Sequence, residues 1–264
     1  MELIKQLREI TGAGMVDCKT ALIEAGNDLT KAVEILRKKG ILKAAKRTGR
    51  EAKEGVVKVA VNAAKTEAYI LELNSETDFV SRNEKFVALA DAILAVIIAQ
   101  KPATLEVLLS LDLNGVSVQD ALATLSGTIG ENLAIKRLAI ISGATVAAYS
   151  HLGGRLGVLV ALDQPDQDML AADIAMQIAA ANPKYLLPAE VDPTEMAKEQ
   201  EIYKEQLLKE GKPENMVEKI VAGKMGKYYS EVCLMEQEYI KDEKKKVKDI
   251  LGAVNILKFV RYSL

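Results

Sequence analysis

Residues 55–99 read GVVKVAVNAAKTEAYILELNSETDFVSRNEKFVALADAILAVIIA, and the order of patterns within them decides the fold. Val57, Val59 and Val61 share one face of an extended segment, because successive strand side chains point to opposite faces. After a polar break at residues 62–66, Tyr69, Leu71 and Leu73 resume the same period, which predicts a hairpin. From Phe86 to Ala99 the alternation gives way to a strongly apolar helix. Ser81 and Glu84 precede it at capping-box spacing, which would fix its start. Hairpin followed by helix is the signature of an α+β unit with an antiparallel sheet.

The same order recurs downstream. Residues 144–150 and 156–162 read as strands around His151-Leu152-Gly153-Gly154-Arg155, and residues 168–181 as a helix that stops at Asn182-Pro183. No residue-level repeat accompanies this, so the expectation is two related half-domains. Thr128 and Glu131 are spaced as a further capping box and predict a helix carrying Leu133, Ile135, Leu138 and Ile141. Residues 244–254 predict a last helix, and residues 256–262 a last strand that rejoins a sheet.

Upstream, Leu3, Ile4, Leu7 and Ile10, then Met15, Cys18, Leu22 and Ala25, then Leu29, Ala32, Val33 and Leu36 mark three short helices. Glycines 12, 14, 26 and 40 punctuate them, with Gly40 read as the end of the third. The domain expectation is therefore a three-helix unit at 1–42, a basic linker at 43–54, a first core subdomain at 55–141, and a second at 142–192 and 227–264. Residues 193–226, charged helix formers broken by Gly211-Lys212-Pro213, are expected to project as an antiparallel coiled-coil hairpin.

Composition narrows the function. The chain has 264 residues, 49% apolar and 27% charged, with a net charge of −2, so it buries a core and lacks the positive excess that phosphate backbones reward. A single histidine, His151, and two distant cysteines, Cys18 and Cys233, exclude a zinc ribbon, a Cys-x-x-Cys pair and a multi-histidine metal site. Few cysteines, no basic leader before an apolar run, and no apolar run approaching the ~20 residues of a membrane span predict a cytosolic protein. No phosphate-cradling loop, His-Glu-x-x-His or Gly-x-Ser-x-Gly motif is present, so neither catalytic residues nor a cofactor are expected.

One segment stands out physically. Between a strand end and a helix start, residues 74–81 set Phe79, one of three phenylalanines, beside Asp78. Either Phe79 folds down onto its own helix and Asp78 makes a turn bond, or the two form a wedge displayed for a partner.

The block Thr11-Gly12-Ala13-Gly14-Met15-Val16-Asp17-Cys18-Lys19, the segment Thr77-Asp78-Phe79-Val80 and the stretch from His151 to Val158 together resemble the elongation factor Ts family of bacteria and organelles. The resemblance covers nearly the whole chain and implies an N-terminal domain of the ubiquitin-associated type, a two-part α+β core and a coiled-coil hairpin. It also implies guanine-nucleotide exchange on elongation factor Tu, with no covalent chemistry and no cofactor. In that family the Asp-Phe pair of the Thr-Asp-Phe-Val loop enters the GTPase and disturbs its magnesium site, a role that falls here to Asp78 and Phe79, flanked by Thr77 and Val80. Arg8, Met15 and Val16 match partner-facing positions of the N-terminal domain, and His151 matches one of the core. Val16 stands where some members have methionine.

The implied partner is a protein, not a nucleic acid, a membrane or a small molecule. Longer bacterial members continue into a Gly-Glu-Gly segment and a C-terminal helix, whereas this chain stops at Ser263-Leu264, so that contact is not carried over. The alternatives are an interaction adaptor with Phe79 in its core, an RNA-associated scaffold using the basic linker, and a hydrolase needing Asp78 within hydrogen-bond reach of His151.

Overall fold

A computed structural model describes residues 1–264, the side chain of Lys43, first residue of the basic stretch, lying outside the described ones. Helices α1 (Glu2–Thr11), α2 (Met15–Glu24) and α3 (Leu29–Ala45) close around Leu7, Cys18, Ala21, Leu22 and Ala32. Asp28 caps α3 by accepting from the Lys31 amide at 3.1 Å. Gly40 does not stop α3, which runs five residues further to Ala45.

The first half of the core follows. Strands β1 (Glu54–Val61) and β2 (Glu67–Ser75) form the expected hairpin, and a single helical turn, α4 (Asp78–Ser81), leads into α5 (Glu84–Gln100). Asn83, not Ser81, caps α5, because Ser81 is consumed in α4, where its hydroxyl donates to the Asp78 carbonyl at 2.8 Å. Then come α6 (Leu105–Ser110), a small hairpin of β3 (Asp112–Leu113) and β4 (Val116–Ser117), and α7 (Val118–Ile129). The helix expected after Glu131 is instead strand β5 (Ala134–Ser142), which pairs antiparallel with β2 to give the order β1-β2-β5.

A β-bulge explains that misreading. Arg137 lies opposite Glu72 and Ile135 opposite Leu73, so Lys136 is an extra residue in the ladder. The bulge turns a spacing of two into a spacing of three, and Ile135 and Leu138 fall on the same face. It also lets two consecutive basic residues reach one acid. Glu72 is fully buried, with Arg137 Nε at 2.6 Å and Lys136 Nζ at 3.1 Å, and the Arg137 guanidinium lies 4.1 Å from the Tyr262 ring centre.

In the second half, β6 (Thr145–His151) and β7 (Leu156–Leu162) form a hairpin, followed by α8 (Asp168–Ala181) and two long helices, α9 (Pro193–Lys209) and α10 (Glu214–Val232). A short hairpin, β8 (Glu238–Tyr239) and β9 (Asp242–Lys246), precedes α11 (Val247–Leu251) and β10 (Ile256–Ser263). The last helix is thus shorter than expected: Asp249 accepts from the Lys246 amide at 2.8 Å and caps it there, leaving the apolar-poor lysine run to pair with β8. Strand β10 joins β7, giving the order β10-β7-β6.

The two sheets pack face to face through Val57, Ile70, Leu159 and Ala161. Helix α5 covers the outer face of the first, and α8 that of the second, so β2 and β7 are buried on both sides. The architecture is α+β, with helix, sheet, sheet and helix in layers.

The three-helix unit is fastened to this core. Helix α3 crosses α7 so closely that a Cβ on Gly127 would lie 2.5 Å from Gly40 Cα. Arg37 pairs with Asp120 at 2.8 Å beside the crossing, and Arg47 donates to the Ser126 carbonyl at 3.1 Å. Asn132 holds the Arg50 carbonyl at 2.8 Å. Arg47 and the Arg50 carbonyl thus tie the basic stretch to the core, while Lys46, Thr48 and the Arg50 side chain remain exposed.

At the base of the α9–α10 hairpin, Tyr185 and Tyr228 each donate to Glu195 at 2.6 Å. Those hydroxyl bonds, Tyr185 first, hold the Glu195 carboxyl below the ordinary value of 4.5. A depressed carboxyl pKa contributes stability that is complete above 4.5 and is lost as pH falls through the lower folded value. Protection of the amides around Glu195 and Tyr228, taken relative to the intrinsic exchange rate at each pH, is thus expected to fall below pH 4.5. Protection factors that stay constant between about pH 6 and pH 3 would contradict this.

Candidate partner-binding site

The turn that carries Phe79 is built from opposing constraints. Val80 is buried in the first core, and residues one apart on a helical turn point roughly 100° apart, so anchoring Val80 inward sends Phe79 outward. Phe79 is 83% exposed. Ser75 and Ser81 stitch the turn locally, donating to the carbonyls of Thr77 at 2.9 Å and Asp78 at 2.8 Å. Thr77 occupies the N-cap position of α4 without capping it, because its hydroxyl donates instead to Glu131 Oε1 at 2.7 Å and its amide to Glu131 Oε2 at 3.0 Å. One residue earlier the exchange is reversed: Glu76 Oε1 accepts from the Asn132 amide at 2.6 Å. Asp78 itself pairs with Arg82 Nη2 at 2.9 Å, four residues on and in solvent.

The hairpin tip after His151 approaches the same end of β1. Gly154 adopts φ +91°, and a Cβ there would lie 2.8 Å from Val56 Cγ2, so only glycine lets the tip close on the strand. Its carbonyl accepts from the Val57 amide at 2.6 Å, and Arg155 reaches Glu54 at 2.7 Å. Glu54 is opposite Ser75 in the ladder, where the Phe79 turn begins. The Glu54 carboxylate, and more weakly that of Asp78, hold the Arg155 guanidinium above its ordinary value. The tip and the turn therefore share one edge.

His151 is exposed, its Nδ1 lying 3.0 Å from the Tyr149 hydroxyl, with Leu152 displayed beside it. No hydrogen bond joins His151 to Asp78 among the described residues, so the pair that a hydrolase would need is not formed. The adaptor alternative needs Phe79 in the core, and it is outside.

Arg8, Met15 and Val16 are all exposed. Arg8 and Met15 line a surface groove with Ile4 and Gly12, and the turn at Gly12 abuts Lys85 in the first turn of α5 and Thr128 near the end of α7. Val16 does not line that groove. The residues that sequence reasoning missed are Glu76, in the turn segment itself, and Glu131 and Asn132, which hold it from the adjacent segment leading into β5.

A family model described as Elongation factor TS matches residues 76–264, a span holding the Phe79 turn and the His151 tip. A protein of Deinococcus deserti named Elongation factor Ts is 46% identical over 264 residues, covering 100% of this chain and 99% of its own. The chain belongs to the elongation factor Ts family. Relatives of the same name from Clostridium botulinum and Prosthecochloris aestuarii are each 44% identical. They cover 98% and 99% of this chain, and 90% and 96% of their own lengths. Membership of the elongation factor Ts family makes the chain a translation elongation factor. Among the described residues no helix is long and apolar enough to cross a membrane.

Proposed function

We propose that this chain is a guanine-nucleotide exchange factor that binds the GDP-loaded GTPase elongation factor Tu and speeds GDP release, acting in the cytosol. The observation that carries the reading is the outward ring of Phe79 beside Asp78 on a turn bonded at both ends. Inserted between elements of the GTPase, the pair displaces the supports of the magnesium ion that neutralises GDP. Magnesium demands near-octahedral geometry, so a small displacement weakens the phosphate clamp disproportionately. Nothing is consumed, and no covalent step is required.

Linkage supplies the other half of the cycle. If the factor weakens nucleotide binding, nucleotide weakens the factor's binding by the same ratio, and incoming GTP expels it. In this reading the three-helix unit is a ubiquitin-associated-type domain that docks through Arg8, Met15 and Val16. His151 contacts the partner from the core, and the α9–α10 hairpin is an antiparallel coiled coil.

The test is release of fluorescent GDP from elongation factor Tu, with the chain added at increasing concentration. A release rate that climbs and saturates is the expected result. A rate independent of added chain would sink the proposal.

A further inference from the structure

We infer that Glu131 is a positioning residue for exchange, acting through Thr77 to hold Asp78 and Phe79 in their displayed orientation. The inference rests on the wedge role proposed above for those two residues.

The geometry is specific. Helix α7 ends at Gly130 with φ +94°, a left-handed cap that reverses the chain and brings Glu131 beside Thr77, just beyond the Asn74–Ala134 end of the β2–β5 ladder. Both carboxylate oxygens are then used on one residue, Thr77, 54 positions away: Oε2 accepts its amide and Oε1 its hydroxyl. The neighbouring bond from the Asn132 amide to Glu76 Oε1, at 2.6 Å, runs the opposite way, so residues 76–77 and 131–132 are cross-braced. Thr77 is the residue immediately before α4, and its backbone sets the rotation of the whole turn. With only four residues, α4 cannot hold that rotation by helix bonds alone and relies on the buried Val80, the Ser75 and Ser81 bonds and the Glu131 carboxylate together. Arg82, the other side chain on the turn's charged face, is itself exposed and ties Asp78 only to the same segment.

The consequence is a distinctive mutational pattern. A glutamine at 131 restores both bonds, its carbonyl oxygen accepting the Thr77 amide and its amide nitrogen donating to the Thr77 hydroxyl oxygen, which accepts as readily as it donates. An aspartate keeps the charge but is one methylene too short. Length, and not charge, is what the position requires.

The experiment uses the full chain with Glu131→Gln, Glu131→Asp, Glu131→Ala and Phe79→Ala, reading fluorescent GDP release from elongation factor Tu and hydrogen exchange at the Thr77 amide. Glu131→Ala and Glu131→Asp should lower the maximal release rate about tenfold, since a misplaced reacting element costs rate steeply, with the half-saturating concentration moved less than about threefold. Both should also lose protection at Thr77, while Glu131→Gln keeps rate and protection. On a Phe79→Ala background, Glu131→Ala should add nothing. If Glu131→Ala fails to fold, the contrast of Gln with Asp decides alone. A fully active Phe79→Ala chain would overturn the wedge and this role with it. An impaired Phe79→Ala chain beside a full-rate Glu131→Ala or Glu131→Asp chain would overturn the positioning role only.

Discussion

Replacing Phe79 by alanine is expected to cut stimulated GDP release by about 30-fold or more while leaving the melting temperature of the free chain unchanged. The two halves of that expectation come from one number. At 83% exposure the ring contributes almost nothing to the chain's own core, and surface substitutions away from special features shift stability by only about 0.5 kcal/mol. In a complex the same ring would be an aromatic anchor in a desolvated pocket, and such anchors contribute roughly 2 kcal/mol or more. Asp78→Ala should weaken release less, because its carboxylate already spends part of its interaction on Arg82. Two residues that enter as a unit should lose less together than the sum of their separate losses. A melting temperature that falls along with activity would place the ring in its own subunit, and release that stays at the parent rate would remove the wedge.

The largest stability loss is expected from Arg137→Ala. Glu72 is fully buried in the central strand of the first sheet, and Arg137 is its nearest cation, bonded at 2.6 Å and lying over Tyr262 of the opposite sheet. Removing the guanidinium leaves a buried carboxylate with Lys136 alone. Breaking a buried pair costs about 3–5 kcal/mol, and the partial exposure of Arg137 places the expected loss toward the lower end. The double change Glu72→Met with Arg137→Leu should recover much of it, since apolar replacements of similar volume remove the orphaned charge. Urea unfolding of the single and double variants measures both effects. An Arg137→Ala midpoint equal to the parent's would show that Lys136 suffices.

Both halves of the core were legible because their signals are local. The valines of β1, the Tyr69-Leu71-Leu73 alternation of β2, the runs of β6 and β7, and the apolar stripe of α5 each declare their period within a few residues. Three features defeated that logic. The bulge at Lys136 imposed a helix-like spacing on a strand, and Ser81 and Thr128 looked like caps while serving a turn and a helix end respectively. Gly40 resembled a helix stop, whereas its missing side chain serves a crossing with Gly127, far away in sequence.

The site divides the same way. Phe79 and Asp78 were visible as an odd pair between two elements, and the family resemblance gave them a role. Glu131 was visible only as an acid three residues after a threonine. Its partner Thr77 lies 54 residues earlier, and no local pattern encodes so distant a bond.

The backbone-to-backbone seating of α3 on α7 reaches beyond stability. It ties the three-helix unit that carries Met15 and Val16 to the core that carries Phe79, so that in the proposed docking they would act as the two jaws of a caliper. A molecule gripped by both jaws surrenders its tumbling freedom a single time for two contacts, while one of the wrong width seats on one jaw alone. If both jaws dock as proposed, selectivity for the partner would rest in part on that width.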